Sequence, residues 1–231
     1  MNLIINGAEN ETAYGLRIDG IPEIPTPEQR TEQTEVDFRD GELVRKKGFK
    51  NIPIPVDFNI LASDETKSKL RLARAWLMST ETIRFSDDDV YYKVKNVQIE
   101  PADFEAVHYA VLPVVFECES FQYALPTELT LTTSGTSLQN PGTYVSRPLI
   151  KIYGSGSIKL TVGATEVALK DIVDHIILDC DLMEAYKDET SPLSRNYLMS
   201  GKFPELAVGS TKISWTGTVR EIVIDPRWRY I

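Results

Sequence analysis

The chain has 231 residues, 42% hydrophobic and 26% charged, and its 34 Asp/Glu outnumber 25 Lys/Arg for a net charge of −9. That length accommodates one large or two modest domains with ordinary cores. The acidic balance disfavours nucleic-acid binding, which needs a surplus of Lys/Arg to neutralise phosphates. The imbalance is local: residues 1–135 hold 23 acids and 14 bases, whereas residues 136–231 hold 11 of each.

Met1–Gly7 has no basic stretch and only a three-residue apolar run, which predicts no secretory leader, and no window approaches a membrane span. Asn2–Ile5 reads as a strand ended by Asn6-Gly7. Gly20–Glu28 carries Pro22, Pro25 and Pro27 and reads as a loop or edge arm, because proline cannot donate to a ladder. Asp40-Gly41 is a turn dipeptide, predicting a hairpin of Glu35–Arg39 with Leu43–Arg45. The basic run Arg45–Lys50 then reads as a solvated strand end beside acidic neighbours rather than a docking patch.

Ile52, Ile54, Val56, Phe58 and Ile60 alternate with other residues, predicting a strand with one buried face whose opening, through Pro53 and Pro55, lies at a sheet edge. One helix is predicted over about residues 64–79. Ser63 or Asp64 caps it, Glu65 suits its positive end, and Leu70, Ala73, Trp76 and Leu77 share one face. Asp87-Asp88-Asp89 lacks the glycine and distal carboxylate of a calcium loop and reads as a turn between Ile83–Phe85 and Val90–Val94. That strand continues through Val97–Ile99 after a bulge at Asn96. Ala106–Phe116 is apolar at nearly every position, so it is a central strand or a subunit contact, bulged at Pro113.

Charge nearly vanishes over Leu125–Pro148, which marks a boundary between domains 1–135 and 136–231. Beyond it the expected strands are Leu149–Tyr153, Ile158–Val162, Val167–Leu169, Val173–Leu178, Met183–Tyr186, Lys212–Trp215 and Val219–Ile224, each ended by a Gly, Pro or Ser cluster. Asp188–Asn196 is a polar connection. The fold class is therefore mainly β, with two β-sandwich domains and a single helix in the first.

Little of this pattern carries chemistry. His108 and His175 lie in apolar strands with no further ligand at metal spacing, and read as satisfied core residues. Cys118 and Cys180 read as buried free thiols without an activating base. Gly154-Ser155-Gly156 is neither a nucleophile elbow nor a phosphate loop. Asp179 and Asp181 bracket a strand end and point to one face, the pattern of a glycosidase pair or of a charged strand end open to solvent. No catalytic, cofactor-binding or metal residue is assigned.

The order of the C-terminal signals carries a resemblance: Asn140-x-Gly142, Ser146-x-Pro148, Ile150-x-Ile152-x-Gly154-x-Gly156, Gly201-x-Phe203-Pro204-x-Leu206, Gly209, Gly217 and Pro226-Arg227-x-Arg229. Together with the helix ending Trp76-Leu77, Tyr91-Tyr92 and the strand ending Val115-Phe116-Glu117-Cys118, this set resembles the distal tail protein (Dit) family of siphophages and prophages. The resemblance implies a homohexameric ring at the virion tail tip. The N-terminal domain builds the ring and a galectin-like sandwich projects from it. The ring joins the major tail tube protein to the tail-associated hub or lysin protein, carries receptor-binding proteins in some members, and lets DNA pass without specific binding. Assembly in the bacterial cytoplasm, no membrane contact, no cofactor and no enzymatic activity go with it. The sugar-binding constellation of galectins is missing here, so lectin activity is not carried over. The alternatives are a carbohydrate-binding β-sandwich module acting in adhesion and a glycosidase using Asp179 and Asp181. In a ring, the acidic surplus is expected to face the lumen, with candidates Glu23, Glu28, Glu32, Glu35, Asp40, Glu42 and Asp87–Asp89.

Overall fold

The computed structural model describes residues 2–9, 14–35, 37–38, 40–61, 66–106, 109–188, 190 and 193–231. The chain is mainly β and divides into two compact units, Met1–Gln122 and Tyr123–Tyr230. This division falls ahead of the expected boundary at 135/136, because Leu129–Leu131 pairs with the long strand Gly209–Asp225 of the second unit.

The first unit contains β1 (Leu3–Ile5), β2 (Ala8–Glu9), β3 (Leu16–Ile18), β4 (Gln29–Thr34), β5 (Leu43–Phe49), β6 (Ile52–Leu61), the helix α1 (Thr66–Met78), β7 (Thr82–Phe85), β8 (Val90–Ile99), β9 (Asp103–Ala106) and β10 (Tyr109–Ala124). Its main sheet runs β2-β1-β7-β8-β10-β6-β3, with β9 also against β10; β4 and β5 form a separate two-stranded sheet. β6 follows the expected alternation, with Ile52, Ile54, Val56, Phe58 and Ile60 all buried. Each such side chain stabilises the unit by roughly 1.5–3 kcal/mol relative to exposure. On α1, Leu70, Ala73 and Leu77 join the same core and Trp76 packs half-buried on its edge. The expected caps Ser63 to Glu65 lie outside the described residues.

Backbone parity explains how the sheet tolerates three prolines. The Asp57 carbonyl accepts from the Asp19 N–H beyond the end of β3, so odd-numbered residues of β6 turn their polar groups to that side. β3 spans only Phe58–Ile60, and Pro53 and Pro55 therefore lack their N–H where no strand pairs. Pro113 sits opposite Asp57 in β10 and turns its carbonyl the other way, to the Glu100 N–H just past β8. The β6–β10 register is continuous there, so Pro113 makes no bulge against β6. β8 runs as one strand past Asn96, and the buried positions change parity between Tyr92 and Val97.

The second unit contains β11 (Leu129–Leu131), β12 (Thr136–Asn140), β13 (Leu149–Val162), β14 (Thr165–Ile172), β15 (His175–Asp179), β16 (Glu184–Tyr186), β17 (Met199–Gly201), β18 (Gly209–Asp225) and β19 (Arg229–Tyr230). β13 pairs with Ile213–Asp225 of β18, whose first residues pair with β12, and β15 flanks the first half of β13 while β14 flanks the second. Two expected strand breaks are thus missing. Gly154–Gly156 and Gly217 do not end strands but sit where the β13–β18 register slips. A Cβ on Gly154 would lie 2.3 Å from the Thr218 carbonyl oxygen, and one on Gly217 2.4 Å from that of Ser157. Glycine is needed there for close backbone approach, which lets two long strands bend and serve both layers of the sandwich.

Candidate functional site

The sequence-level candidates do not gather into a catalytic centre. Asp179, expected to open onto solvent or to serve with Asp181, is 3% exposed. Its carboxylate accepts from Arg227 Nη1 at 2.9 Å and Nη2 at 3.1 Å, and from the N–H groups of Asp181 and Leu182 at 3.0 and 3.1 Å. Burial alone would raise this carboxyl, but the Arg227 hydrogen bonds, the two backbone donors and the guanidinium charge outweigh it and hold the group below the usual carboxylate range. Asp181 instead faces Arg147 at 3.7 Å. Buried and held by the Arg227 fork and two backbone donors, Asp179 is placed as a structural ion pair rather than as an acid open to substrate.

The remaining candidates resolve individually. Asp87–Asp89 forms the β7–β8 turn, and no group of ligating residues suited to a metal ion occurs among the described residues. His108 lies outside the described residues. His175 is not a core residue: its side chain is 24% exposed, with Nδ1 2.8 Å from Asp174 Oδ2 and Nε2 2.9 Å from the Lys187 carbonyl. Cys118 and Cys180 are buried free thiols. Burial, with the charges of Glu117 and Glu119, pushes the Cys118 thiol up to about 12; burial and Asp179 also raise Cys180. Neither is poised as a nucleophile.

The motif residues instead meet in one structural knot. Asn140 is 3% exposed; its Oδ1 accepts from the Gly142 N–H at 2.8 Å, and its Nδ2 donates to the carbonyls of Tyr144 and Leu206 at 3.2 and 3.1 Å. Ser146 and Leu206 exchange backbone hydrogen bonds, and Arg229 donates through Nε and Nη2 to the Val145 carbonyl. A Cβ at Gly142 would lie 2.3 Å from the Arg229 carbonyl oxygen. Asn140, Gly142, Ser146, Leu206 and Arg229 are therefore closure residues, and Arg227 ties the same C-terminal stretch to β15.

Contact surfaces are more developed than chemistry. In the first unit Gly20–Glu28 lies outside any strand, as expected, and Ile21 and Ile24 are 88% and 40% exposed. Ile24 and Pro25 with Pro53, Pro55 and Val115 line an apolar depression of about 650 Å³. β10 buries Ala110, Leu112, Val114 and Phe116, while Val111, Pro113 and Val115 on its other face are half-buried. The hairpin lies earlier than expected: β4 and β5 pair from Gln29↔Phe49 to Thr34↔Leu43, and Asp40-Gly41 lies in their connection. Nearly every residue of both strands is exposed. Lys47 meets Glu32, and Lys50 meets Glu28, each at 2.9 Å, so part of the basic run is neutralised across this arm.

In the second unit a depression of about 600 Å³ lies on the face of β13 and β15 opposite the core. It is lined by the cross-strand pairs Lys151↔Ile177 and Tyr153↔His175 and by Lys187, Asp188, Leu193 and Arg195. Pattern reading missed it, because Lys187, Asp188, Leu193 and Arg195 come from the polar connection and only Lys151, Tyr153, His175 and Ile177 from strands.

No family model matches the sequence, and no curated protein matches it. Among solved structures, the crystal structure of the SPP1 Dit (gp 19.1) protein, described as a paradigm of the hub adsorption apparatus in phages infecting Gram-positive bacteria, aligns over 96% of this chain and 97% of its own, with a TM-score of 0.71 and 14% identity. Chains of the phage P2 baseplate in its activated conformation, with Ca and with Sr, align over 92% of this chain and 91% of theirs at 9% identity, with TM-scores of 0.48 and 0.46. Taken over both units, the chain has the fold of the SPP1 Dit protein.

Proposed function

We infer that this chain is a structural virion protein of a phage or prophage tail tip. It assembles as a homohexameric ring through its N-terminal unit, joins the tail tube to the tail-tip hub, and leaves a channel through which DNA passes. The observation that carries this reading is the end-to-end fold likeness, covering 96% of this chain and 97% of a protein described as part of a hub adsorption apparatus. Three features of the first unit support subunit contact: the extended arm with exposed Ile21 and Ile24, the hairpin β4–β5 exposed along both strands, and the half-buried apolar face of Val111, Pro113 and Val115. A two-stranded hairpin is marginal alone in water and gains most by lying against another chain. The galectin-like second unit is the appendage, and the tube protein, the hub protein and, in some particles, receptor-binding proteins are the partners.

The electrostatics support the channel. Residues 1–135 carry the whole net charge of −9, and an acidic wall lets the duplex, itself one negative charge per roughly 1.7 Å, slide without adhering. Glu28 and Glu32 are spent on Lys50 and Lys47, which leaves Glu23, Glu35, Asp40, Glu42 and Asp87–Asp89 as candidate wall acids. The test is solution mass by light scattering together with negative-stain imaging. The expected result is a ring near six times the 26.0 kDa chain mass. A chain that stays monomeric at tens of micromolar, and also fails to enter rings when mixed with tube and hub proteins, would overturn the reading.

A further inference from the structure

Phe38 stands out on the surface of the first unit. It lies in the connection of the β4–β5 hairpin, fully exposed, with φ at 64°. That left-handed conformation crowds the Cβ of any L residue and is the ordinary place of glycine, which takes it three residues on at Gly41 with φ 78°. Phe38 therefore bears two costs, an aromatic ring in water and a strained backbone, and its exposure leaves it no packing within its own chain to offset either. Strain held at such a position points to a use, and a ring that can bury roughly 150–250 Å² is suited to anchoring a contact with another molecule.

The same unit holds the apolar depression of about 650 Å³ walled by Ile24, Pro25, Pro53, Pro55 and Val115. It belongs to the base of the hairpin, where the Lys50 N–H donates to the Glu28 carbonyl at 2.8 Å and the chain enters β4 from Pro25 and leaves β5 toward Pro53. At roughly 3.3 Å per residue, the six residues of β4 carry the tip about 17 Å from that base. Knob and depression thus sit at opposite ends of one element, and a second copy brings them together. Charge agrees. The stem, residues 29–34 and 43–50, holds Arg30, Arg45, Lys46, Lys47 and Lys50 against Glu32. The tip, residues 35–42, holds Glu35, Asp37, Asp40 and Glu42 against Arg39. Lys47 and Lys50 are engaged by Glu32 and Glu28, and the stem keeps its basic balance. Two tips repel and so do two stems, whereas a tip is attracted to a stem. Glu23 is the one charged group in the lining of the depression, so the attraction is to the stem beside it. We propose that the hairpin tip of one copy docks at the hairpin base of the next, with Phe38 seated in the depression.

Such a contact joins two different patches, runs head to tail and closes when its rotation allows; it rests on the ring reading and names the seam within it. The tip acids Glu35, Asp40 and Glu42 then belong to the seam, and Asp87–Asp89 remain for the channel wall. Light scattering over a concentration series, on the full chain alone and with tube and hub proteins, compares wild type with Phe38→Ala. The variant should need at least about tenfold more protein for half-assembly, about 1.4 kcal/mol, while its circular dichroism and melting stay those of wild type, because Phe38 packs on nothing in one chain. The double variant Asp37→Cys/Pro55→Cys, oxidised, should give a ladder of covalent oligomers on a denaturing gel, and each single variant none, since Cys118 and Cys180 are buried. Wild-type rings that Phe38→Ala leaves intact, or rings without a ladder, would overturn this contact and leave the tail-tip reading standing. Intact Phe38→Ala rings that fail to bind the tube or hub protein would assign Phe38 to that partner and overturn it equally. A wild-type chain that enters no ring under either condition would overturn the tail-tip reading and this contact with it.

Discussion

Replacing Arg227 by methionine removes the cation from a carboxylate that has almost no access to water. Asp179 is 3% exposed and loses two of its four hydrogen bonds in this variant. Breaking a buried pair from one side costs about 3–5 kcal/mol. The Arg227 side chain is 25% exposed and the two backbone donors remain, which brings the expected loss to about 2–3 kcal/mol. Arg227 also holds φ at 48°, a region that costs an L residue about 1–2 kcal/mol, so the local backbone is kept there by its contacts. At about 4–8 °C per kcal/mol for a domain of this size, calorimetry should show the transition of the second unit falling by about 10–20 °C. The pH dependence has a definite sign. The folded carboxyl lies below its unfolded value, so its stabilisation is full above the ordinary value near 4 and fades as pH falls through the lower folded value. The gap between wild type and variant should therefore close in strong acid. The double variant Asp179→Asn/Arg227→Met buries no lone charge and should be no less stable than Arg227→Met alone. A loss under about 0.5 kcal/mol at neutral pH, or a double variant that shows the sum of two single losses, would refute this reasoning.

Two further outcomes follow from the backbone and the thiols. Gly217→Ala should destabilise the second unit by more than about 2 kcal/mol in urea unfolding, because its Cβ meets the Ser157 carbonyl oxygen at 2.4 Å; Gly156→Ala, at φ 77° in open space, should cost only about 1 kcal/mol. Cys118 and Cys180 should both resist a thiol reagent in the native protein and react on denaturation, since both are buried with raised thiol values; fast native labelling of either would contradict their placement.

What the sequence made legible was periodic. The alternation from Ile52 to Ile60 and the helical face of Leu70, Ala73 and Leu77 reflect burial on one side of a regular element, and the structure places both as read. Glycine was ambiguous for a physical reason. The same residue supplies a turn at Asn6-Gly7, where both φ values are positive, and close strand contact at Gly154 and Gly217. Spacing cannot separate these uses, so two long strands read as four. Asn6 shows the same limit: its Oδ1 also accepts from the Glu81 and Thr82 N–H groups at 2.9 and 3.0 Å, fixing the chain after α1. Asp179 was misread because its partner Arg227 is remote in sequence, and His175 because an apolar strand conceals which of its faces is covered.

The chain divides its residues between positions that chemistry restricts and positions that it does not. Asn140 must both accept from one backbone N–H and donate to two carbonyls, which an aspartate or a leucine cannot do. Gly142, Gly154 and Gly217 face carbonyl oxygens at 2.3–2.4 Å from a would-be Cβ, and Arg227 meets Asp179 through a bidentate fork that lysine cannot reproduce. A few such closures, spread along the chain, hold the bent strands of the second unit together. Most exposed residues of β4 and β5 bear no such closure. Their chemistry can change without cost to folding. Exposed surfaces of this kind are therefore where the individual character of this protein resides.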